Sequence, residues 1–362
     1  MIYGKEYLSD MKIIDILKNA ADKHASDIFI IAGRPLSYKI MGEIISQNEN
    51  SLTPKDTYEI LYDIFQLAER DNFEQMIGEG DLDFSFSISK LGRFRVSAYK
   101  QRNSYAAVIR VVLFDLPDPA NLRIPEVVMN LSNKTKGLIV VTGPAGSGKS
   151  TTLACMVNKI NQERNCHIMT FEDPIEYIHK HKKSIVSQRE IETDTKSYIS
   201  SLKSSLRQAP DVILIGEMRD LETIEIALTA AETGHLVLSS LHTTGAANTI
   251  DRIIDVFPSN QQQQIKIQLS MQLQAVISQQ LIPTVDSKRA AAFEVMLVNN
   301  AVSNLIRESK VHQLNSVIHA CEENGMISMD TSIIDLYEKR LITKENALLY
   351  STDSDYLNRQ LY

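Results

Sequence analysis

The sequence is poor in cysteine and has no long apolar run. Its three cysteines, Cys155, Cys166 and Cys321, are scattered, and none belongs to a C-x-x-C pair. Neither a zinc knuckle nor a disulfide framework is therefore expected, and a reducing compartment suits the chain. No apolar run approaches the roughly 18 residues that span a bilayer, and the first residues lack a signal-peptide pattern. We expect a cytoplasmic protein that contacts a membrane only through a partner.

An excess of basic residues is missing as well. The 362 residues carry a formal net charge of −7, which argues against non-specific binding of nucleic acid, although a local patch can still be basic. The apolar fraction of 43% and the charged fraction of 23% are ordinary for a globular protein. The length allows two or three domains, and no tandem repeat is visible.

The dominant motif is a glycine-rich segment with the spacing G-x-x-x-x-G-K-S. It follows the apolar run 137–141 and precedes a stretch with helical periodicity, which predicts a strand, a loop and a helix. Glycines allow the loop to wrap its backbone N–H groups around phosphate oxygens. Lys149 is expected to reach the β- and γ-phosphates, and the Ser150 hydroxyl to bind Mg²⁺. The predicted nucleotide-binding residues are Gly143, Pro144, Ala145, Gly146, Ser147, Gly148, Lys149, Ser150 and Thr151.

Polar side chains follow each of three further apolar runs, which have the composition of buried parallel strands. The runs are 167–171, 211–215 and 236–241. Glu172 and Glu176 lie after the first run, Glu217 after the second and His242 after the third. Because ligands bind beyond the carboxyl ends of parallel strands, these residues are expected to meet Lys149 at one edge of the sheet.

The charges of these residues suggest their roles. Glu217 lies where a carboxylate for Mg²⁺ belongs, and a carboxylate from the Glu172–Glu176 segment could orient and deprotonate the attacking water. His242 is equally compatible with a γ-phosphate sensor and with a structural histidine that bonds a backbone group. His235 begins its strand, so it is expected at the opposite edge, where it has no role within its own chain.

The N-terminal part mixes helices and strands without a βαβ rhythm, which favours a small α+β domain. Residues 90–110 include six basic residues and no acidic one. Arg93 and Arg95 lie two apart on a predicted strand and share one face. That face is either simply solvated or delivers arginines to a phosphate held by another domain or subunit.

Prolines mark the expected domain boundary near residue 115, because three of them between positions 117 and 125 block regular structure. The predicted domains are residues 1–115 and 116–362. In the second, a long helix is expected from Pro258 through Ile277, with nine glutamines between positions 261 and 280 on its polar face.

Four segments together resemble, in order, the Walker A, Asp-box, Walker B and His-box motifs of secretion-type ATPases. They are residues 143–150, 171–177, 210–220 and 233–243. Over nearly its whole length the chain most resembles the PilT family of type IV pilus retraction ATPases. This resemblance implies an α/β protein with a PAS-like α+β N-terminal domain and a RecA-like P-loop ATPase domain. It also implies a homohexamer that binds ATP and Mg²⁺ and acts on an inner-membrane pilus platform protein to drive retraction.

The resemblance also implies roles for single residues. Glu176 matches the catalytic carboxylate, Glu217 the Walker B glutamate, and His235 and His242 the His-box pair. Arginines of the N-terminal domain are placed at the nucleotide by this family. The candidates here are Arg93, Arg95 and Arg102.

The chain departs from the expected pattern in several places, one of which is the segment 26–29 near the N-terminus. Gly216 stands where many P-loop ATPases have an aspartate, and Ser303 replaces an arginine in a segment that resembles a retraction-linked motif. The chain lacks the tetracysteine zinc module of the assembly relatives, which favours retraction. The alternatives are an assembly or secretion ATPase of a related type II or type IV system, a RecA-like nucleic-acid translocase, and a nucleotide-gated scaffold that hardly hydrolyses ATP.

Overall fold

A computed structural model of the protein describes residues 13–40, 42–71, 73–89, 91–112, 116–286 and 288–361. The chain divides into two compact units, Met1–Asp115 and Leu116–Tyr362. Residues 113–115, where the sequence suggested a domain boundary, lie outside the described residues, as does Lys90 in the basic stretch.

The first unit is an antiparallel sheet with helices on one face. Its helices are α1 (Ile13–Asp22), α2 (Pro54–Leu67) and α3 (Phe73–Glu79). Its strands are β1 (Asp27–Ile30), β2 (Pro35–Ile40), β3 (Glu43–Ser51), β4 (Asp81–Ile88), β5 (Gly92–Gln101) and β6 (Ser104–Val112), in the order β3-β2-β1-β6-β5-β4. Segregated helices on an antiparallel sheet form an α+β unit, as the sequence predicted.

Local sequence explains how this unit is assembled. Thr53 begins α2 with a reciprocal capping box, in which the Asp56 amide donates to Thr53 Oγ1 and the Asp56 carboxylate accepts from the Thr53 amide. Along β5, side chains alternate: Phe94 and Val96 are fully buried beneath the helices, and Arg93 and Arg95 lie on the opposite face.

The second unit is a seven-stranded sheet covered by helices on both faces. Its strands are β7 (Gly137–Thr142), β8 (His167–Glu172), β9 (Ile185–Glu190), β10 (Val212–Ile215), β11 (Leu236–Leu241), β12 (Leu273–Pro283) and β13 (Arg289–Leu297). Their order is β13-β12-β7-β11-β10-β8-β9, and every pair is parallel except β12 with β13. The strands predicted around residues 138, 168, 213 and 238 are therefore confirmed, with their parallel arrangement.

Helices of this unit connect the strands and form its C-terminal part. They are α4 (Glu126–Asn130), α5 (Lys149–Glu163), α6 (Tyr198–Ser205), α7 (Leu221–Glu232), α8 (Ala246–Asp255), α9 (Ser259–Gln272), α10 (Asn300–Arg307), α11 (Leu314–Ala320), α12 (Met329–Glu338), α13 (Lys344–Tyr350) and α14 (Ser354–Gln360), with 3₁₀ turns at Leu131–Asn133, Val311–Gln313 and Glu322–Asn324. No helix in the described ranges is both long and apolar enough to cross a membrane.

The central strand β7 shows why these apolar runs fold as buried strands. Leu138 and Val140 pack on one face with α7, α8 and α9, and Ile139 and Val141 pack on the other face with α5. All six residues of β7 are buried. Burial on both faces requires the nearly continuous apolar composition that the sequence shows.

One predicted element is wrong in its extent. The helix expected from Pro258 through Ile277 ends at Gln272, and Leu273 begins β12. Because β12 lies between β7 and β13 and is covered on both faces, Ala275, Val276 and Ile277 are all fully buried. A short apolar run of this kind cannot be distinguished from a buried helix by periodicity alone.

Candidate active site

The phosphate-binding loop joins β7 to α5, as the sequence predicted. Gly143, Gly146 and Gly148 all have positive φ, and Gly148 is the residue that precedes the first turn of α5. A side chain at Gly143 would overlap the backbone oxygen of Gln279 on the neighbouring strand β12. Glycine is required there both for its conformation and for the close approach of the two backbones.

Lys149 is buried, with its ammonium held inside the loop. Its Nζ donates to the carbonyl oxygens of Gly143 at 2.9 Å and Pro144 at 3.0 Å. Burial lowers the pKa of Lys149, and the negative charges of Glu217 and Glu176 oppose this shift. The loop therefore already concentrates a positive charge where phosphate oxygens are expected.

Glu217 is buried at the end of β10 and has a partner on each oxygen. Arg219 forms an ion pair with its Oε1, and Nε2 of His242 lies 3.1 Å from its Oε2. Nδ1 of His242 lies 3.4 Å from the Lys149 ammonium, which can only donate. The neutral imidazole with its proton on Nε2 fits both contacts. Three strand ends are thereby linked through Lys149, His242 and Glu217.

Glu172 ends β8 as a carboxyl group that is hard to ionise. Its Oε1 accepts hydrogen bonds from Thr170 Oγ1 at 2.6 Å and Gln188 Nε2 at 3.2 Å. Burial raises the pKa of Glu172 from 4.5 to about 7, against the effect of these two hydrogen bonds, and the charges of Glu176 and Glu190 add to the rise. Near neutral pH this group therefore exists in both protonation states.

Glu176 lies on the loop after β8 and is exposed to solvent. Residues of the adjacent strand β9 hold this loop on both sides of it. The Ile175 amide donates to Oε2 of the buried Glu190, and Gln188 binds the carbonyl of Tyr177 and the amide of His179. Glu176 therefore combines an available carboxylate with a supported backbone.

These residues line one cavity of about 290 Å³. It is bounded by Lys149, Ser150, Glu172, Glu176, Glu217 and His242, together with Ala145, Gly146, Asp173, His179, Tyr198 and Arg219. The structure thus brings together the predicted loop lysine, the acids and the His242 imidazole from four adjacent strands. Thr151 lies on the other side of the loop, in a second cleft of about 440 Å³ with Thr152 and Gln279.

Ser150 and Glu217 are compatible with a magnesium ion. Both bound the same cavity and offer hard oxygen donors. Within the part of the chain that the structure describes, no cluster of three or more His, Cys, Asp or Glu side chains could cage a metal alone. Mg²⁺ characteristically takes one or two carboxylates and fills its remaining positions with waters and substrate phosphates. The donor set present therefore fits this ion.

His235 is not part of this cavity. It precedes β11, and its Nδ1 contacts the carbonyl of Ala230 at 2.9 Å and Thr233 Oγ1 at 3.2 Å. The six residues of β11 separate it from the end of the strand where His242 lies, a distance of roughly 20 Å. As the sequence predicted, His235 lies at the opposite edge of the sheet within its own chain.

The three candidate arginines do not form one cluster. Arg93 and Arg95 lie near the start of β5, and Arg102 lies in the turn after its end, with φ of 47°. Seven residues of extended chain between Arg95 and Arg102 correspond to roughly 23 Å. The three guanidinium groups therefore cannot converge on one phosphate, which the sequence spacing alone did not make plain.

Several residues of the site region were missed by sequence reasoning. Tyr198, Gln188, Glu190 and Gln279 come from α6, β9 and β12. Gln279 was assigned to the polar face of a helix, but it is buried behind the phosphate loop, where its Oε1 accepts from Thr152 Oγ1 at 2.8 Å. Tyr198, Gln188 and Glu190 lie outside the motifs that carried the prediction.

The chain is similar to known proteins over most of its length. Residues 6–359 match the family described as Type II/IV secretion system protein. The chain is 44% identical over 337 residues to the type IV pilus retraction ATPase PilT of Pseudomonas aeruginosa, covering 93% of this chain and 97% of that protein. It is 40% identical to a twitching motility protein of Neisseria gonorrhoeae, covering 96% and 92%. The crystal structure of the pilus retraction motor PilT with bound ADP superposes with a TM-score of 0.88 at 46% identity, covering 97% and 100%.

Proposed function

Because the chain belongs to the type II/IV secretion system protein family, and within it to the PilT family of ATPases, we propose that it hydrolyses ATP to drive the retraction of type IV pili. The observation that carries the chemical part is the single cavity lined by Lys149, Ser150, Glu176, Glu217 and His242. The relatives named as retraction and twitching proteins support the biological part.

In this proposal the loop and Lys149 bind the phosphates of ATP. The backbone N–H groups of the loop and the start of α5 face the phosphate oxygens, and the Lys149 ammonium exchanges its carbonyl partners for the β- and γ-phosphates. The base and ribose lie in the second cleft, beside Thr151 and Thr152. Ser150 and Glu217 would hold Mg²⁺, which would supply positive charge against the negative charge that develops on the phosphates.

Glu176 orients and deprotonates the attacking water. Its exposed carboxylate reaches the cavity from a loop fixed by β9, whereas Glu172 already accepts two hydrogen bonds. We assign Glu172 a supporting role. It is a carboxyl group near Glu176, and its surroundings determine its protonation state. His242 holds Glu217 and responds to occupation of the γ-phosphate position through its contact with Lys149.

The assembly we propose is a cytoplasmic homohexamer that acts on an inner-membrane pilus platform protein. In such a ring, an arginine of the N-terminal unit, from the set Arg93, Arg95 and Arg102, stabilises charge at the nucleotide of a neighbour, and His235 lies at a subunit boundary. This unit is PAS-like in the proposal, and the C-terminal unit is RecA-like. Nucleic acid is not a partner in this account.

ATP hydrolysis by the purified full-length protein tests the chemical proposal. Phosphate release with Mg²⁺ is measured for the wild type and for Glu176→Gln, alongside binding of a fluorescent ATP analogue. We expect the variant to bind nucleotide and to hydrolyse it about 10²–10⁴-fold more slowly, the range that general-base catalysis typically contributes. Near-normal turnover in Glu176→Gln would remove this mechanism, and an inert wild type would favour a scaffold.

Surface fibres test the direction of force. The gene is deleted and then complemented with the wild type or with Glu176→Gln, and pili per cell are counted by electron microscopy. Excess, unretracted pili in the deletion and in the Glu176→Gln strain support retraction. Bare cells in both would assign the motor to pilus assembly instead.

A further inference from the structure

Tyr198 is a side chain of the cavity that no motif includes. It is the first residue of α6, and Ser197 caps this helix by accepting from the Ser200 amide at 3.2 Å. The buried Leu202 and Ser205 anchor α6 in the same unit. Tyr198 therefore projects into the cavity from a fixed helix start, alongside Lys149, Glu176 and Glu217.

The Tyr198 hydroxyl occupies the space beside Gly216. A Cβ built on Gly216 would lie 2.9 Å from this hydroxyl oxygen and 3.3 Å from the backbone oxygen of Phe171. Gly216 directly follows β10 and precedes Glu217, so it is the position from which a strand-end aspartate would project. The Tyr198 phenol therefore fits in this place because Gly216 has no side chain.

The phenol is a neutral donor among carboxylates. Burial raises the pKa of Tyr198, and the charges of Asp173, Glu217 and Glu172 raise it further, against the effect of Arg219. The hydroxyl therefore keeps its proton at physiological pH. In the described part of the chain, the Tyr198 hydroxyl forms no hydrogen bond with a side chain or backbone group, and a partly buried hydroxyl of this kind calls for water or ligand as its partner.

We propose that Tyr198 is a positioning residue for ATP hydrolysis, whose hydroxyl donates a hydrogen bond to a water molecule held between Glu172 and Glu217 beside the γ-phosphate. The inference rests on the proposed ATPase function. It assigns to an O–H group from α6 the place that an aspartate takes at the strand end in other P-loop enzymes. The phenol orders the water around the transferring phosphate without adding a negative charge to a site that already has several.

The first test is Tyr198→Phe, which removes only the oxygen atom. The ring keeps its packing, so the melting temperature and the affinity for a fluorescent ADP analogue should stay close to those of the wild type. The kcat for ATP should fall about tenfold, because one hydrogen bond that orders the water beside the γ-phosphate is lost. A wild-type kcat, or a raised KM with unchanged kcat, would overturn the proposal.

A double-mutant cycle separates positioning from packing. Gly216→Ala pushes a methyl group toward the hydroxyl and should lower kcat in the wild-type background. In Tyr198→Phe the oxygen that meets this methyl group is gone and the contact with the Phe171 backbone oxygen remains, so Gly216→Ala should lower kcat less than it does in the wild-type background. Fully additive losses would show that the two residues act independently and would contradict the proposal.

A matched control removes a phenol elsewhere. Tyr356→Phe, on α14, makes the same chemical change outside the cavity and should keep wild-type kcat and KM.

Failure of this inference is also distinguishable from failure of the proposed function. An inactive wild type overturns both, whereas an active wild type with an equally active Tyr198→Phe overturns only the role of Tyr198.

Discussion

Nε2 of His242 lies 3.1 Å from Oε2 of Glu217, and this contact ties the end of β11 to the end of β10. The other ring nitrogen of His242 lies 3.4 Å from the Lys149 ammonium. One imidazole therefore touches both the group expected at the γ-phosphate and the carboxylate expected at the metal. The contacts of His242 are thus with side chains of the site.

His242→Ala should slow hydrolysis more than it weakens binding. Glu217 keeps its ion pair with Arg219 but loses its second partner, and Lys149 loses its link to Glu217. We expect kcat to fall about tenfold to a hundredfold, with a smaller change in nucleotide affinity, because a hydrogen bond to a charged group contributes roughly 1.5–3 kcal/mol. Steady-state kinetics and equilibrium binding measure this. His312→Ala, an exposed imidazole outside the cavity, is the control, and unchanged kcat in His242→Ala would contradict the prediction.

Stability should depend on pH through Glu172. Its pKa is raised from 4.5 to about 7 by burial, so the folded protein binds this proton more tightly than the unfolded chain. The contribution of this carboxyl group to stability is therefore fully present below pH 4.5 and is lost as pH rises through about 7. Relative to Glu172→Gln, the wild type should lose free energy of unfolding across this window. Denaturant titrations at several pH values test this, and a pH-independent difference would contradict the assignment.

The loop that carries Glu176 should depend on β9. Glu190→Gln weakens the acceptor of the Ile175 amide. Gln188→Ala removes the contacts with Tyr177 and His179, together with one hydrogen bond to Glu172. Each change should lower kcat severalfold while nucleotide affinity is kept, because Glu176 loses orientation and the phosphate loop is untouched. The control is Lys182→Ala, further along the same loop, whose ammonium donates to Asn158 Oδ1 at 2.9 Å. If Glu190→Gln and Gln188→Ala had the same kcat as the control Lys182→Ala, β9 would not position Glu176.

Alanine substitutions should identify which of the three arginines acts between subunits. Arg102 is exposed in the hairpin turn after β5, whereas Arg93 and Arg95 are partly buried on the strand. We therefore expect Arg102→Ala to give the largest loss of kcat, toward the 10³-fold or more typical of arginine fingers, and Arg93→Ala a small one.

The mixing experiment combines Arg102→Ala with Lys149→Ala subunits. Each variant alone should be nearly inactive. Rings assembled at random from equal amounts of both should recover roughly a quarter of the wild-type rate, because about one site in four combines an intact Lys149 with an intact Arg102 of the neighbouring subunit. A mixture no more active than its parts would place Arg102 outside the neighbouring site.

The sequence predicted the elements of the site whose signals are local. The strand, loop and helix around Lys149 follow from glycine spacing and periodicity, and the meeting of Glu172, Glu217 and His242 follows from parallel strands that end at one edge. The first inference needed only a local motif, and the second needed only each residue's position at a strand end. The site could therefore be anticipated before its distances were known.

The remaining parts depend on contacts between distant segments. β9 is an edge strand with only two apolar residues, Ile185 and Val186, so it has no apolar run to indicate it. The positions of Gln279 behind the phosphate loop and of Tyr198 beside Gly216 result from packing between elements far apart in sequence. Likewise, the separation of Arg95 from Arg102 follows from the length of β5, which fixed their places at opposite ends of one strand.

The central claim is that separate parallel strands surround one triphosphate. A crystal structure of the full-length protein with Mg²⁺ and a non-hydrolysable ATP analogue tests it most directly. We predict that the γ-phosphate lies within about 3 Å of the Lys149 ammonium, with Ser150 and Glu217 at the ion and Glu176 facing the γ-phosphate. A triphosphate bound elsewhere, or one in this loop with Glu176 and Glu217 turned away from it, would contradict the account.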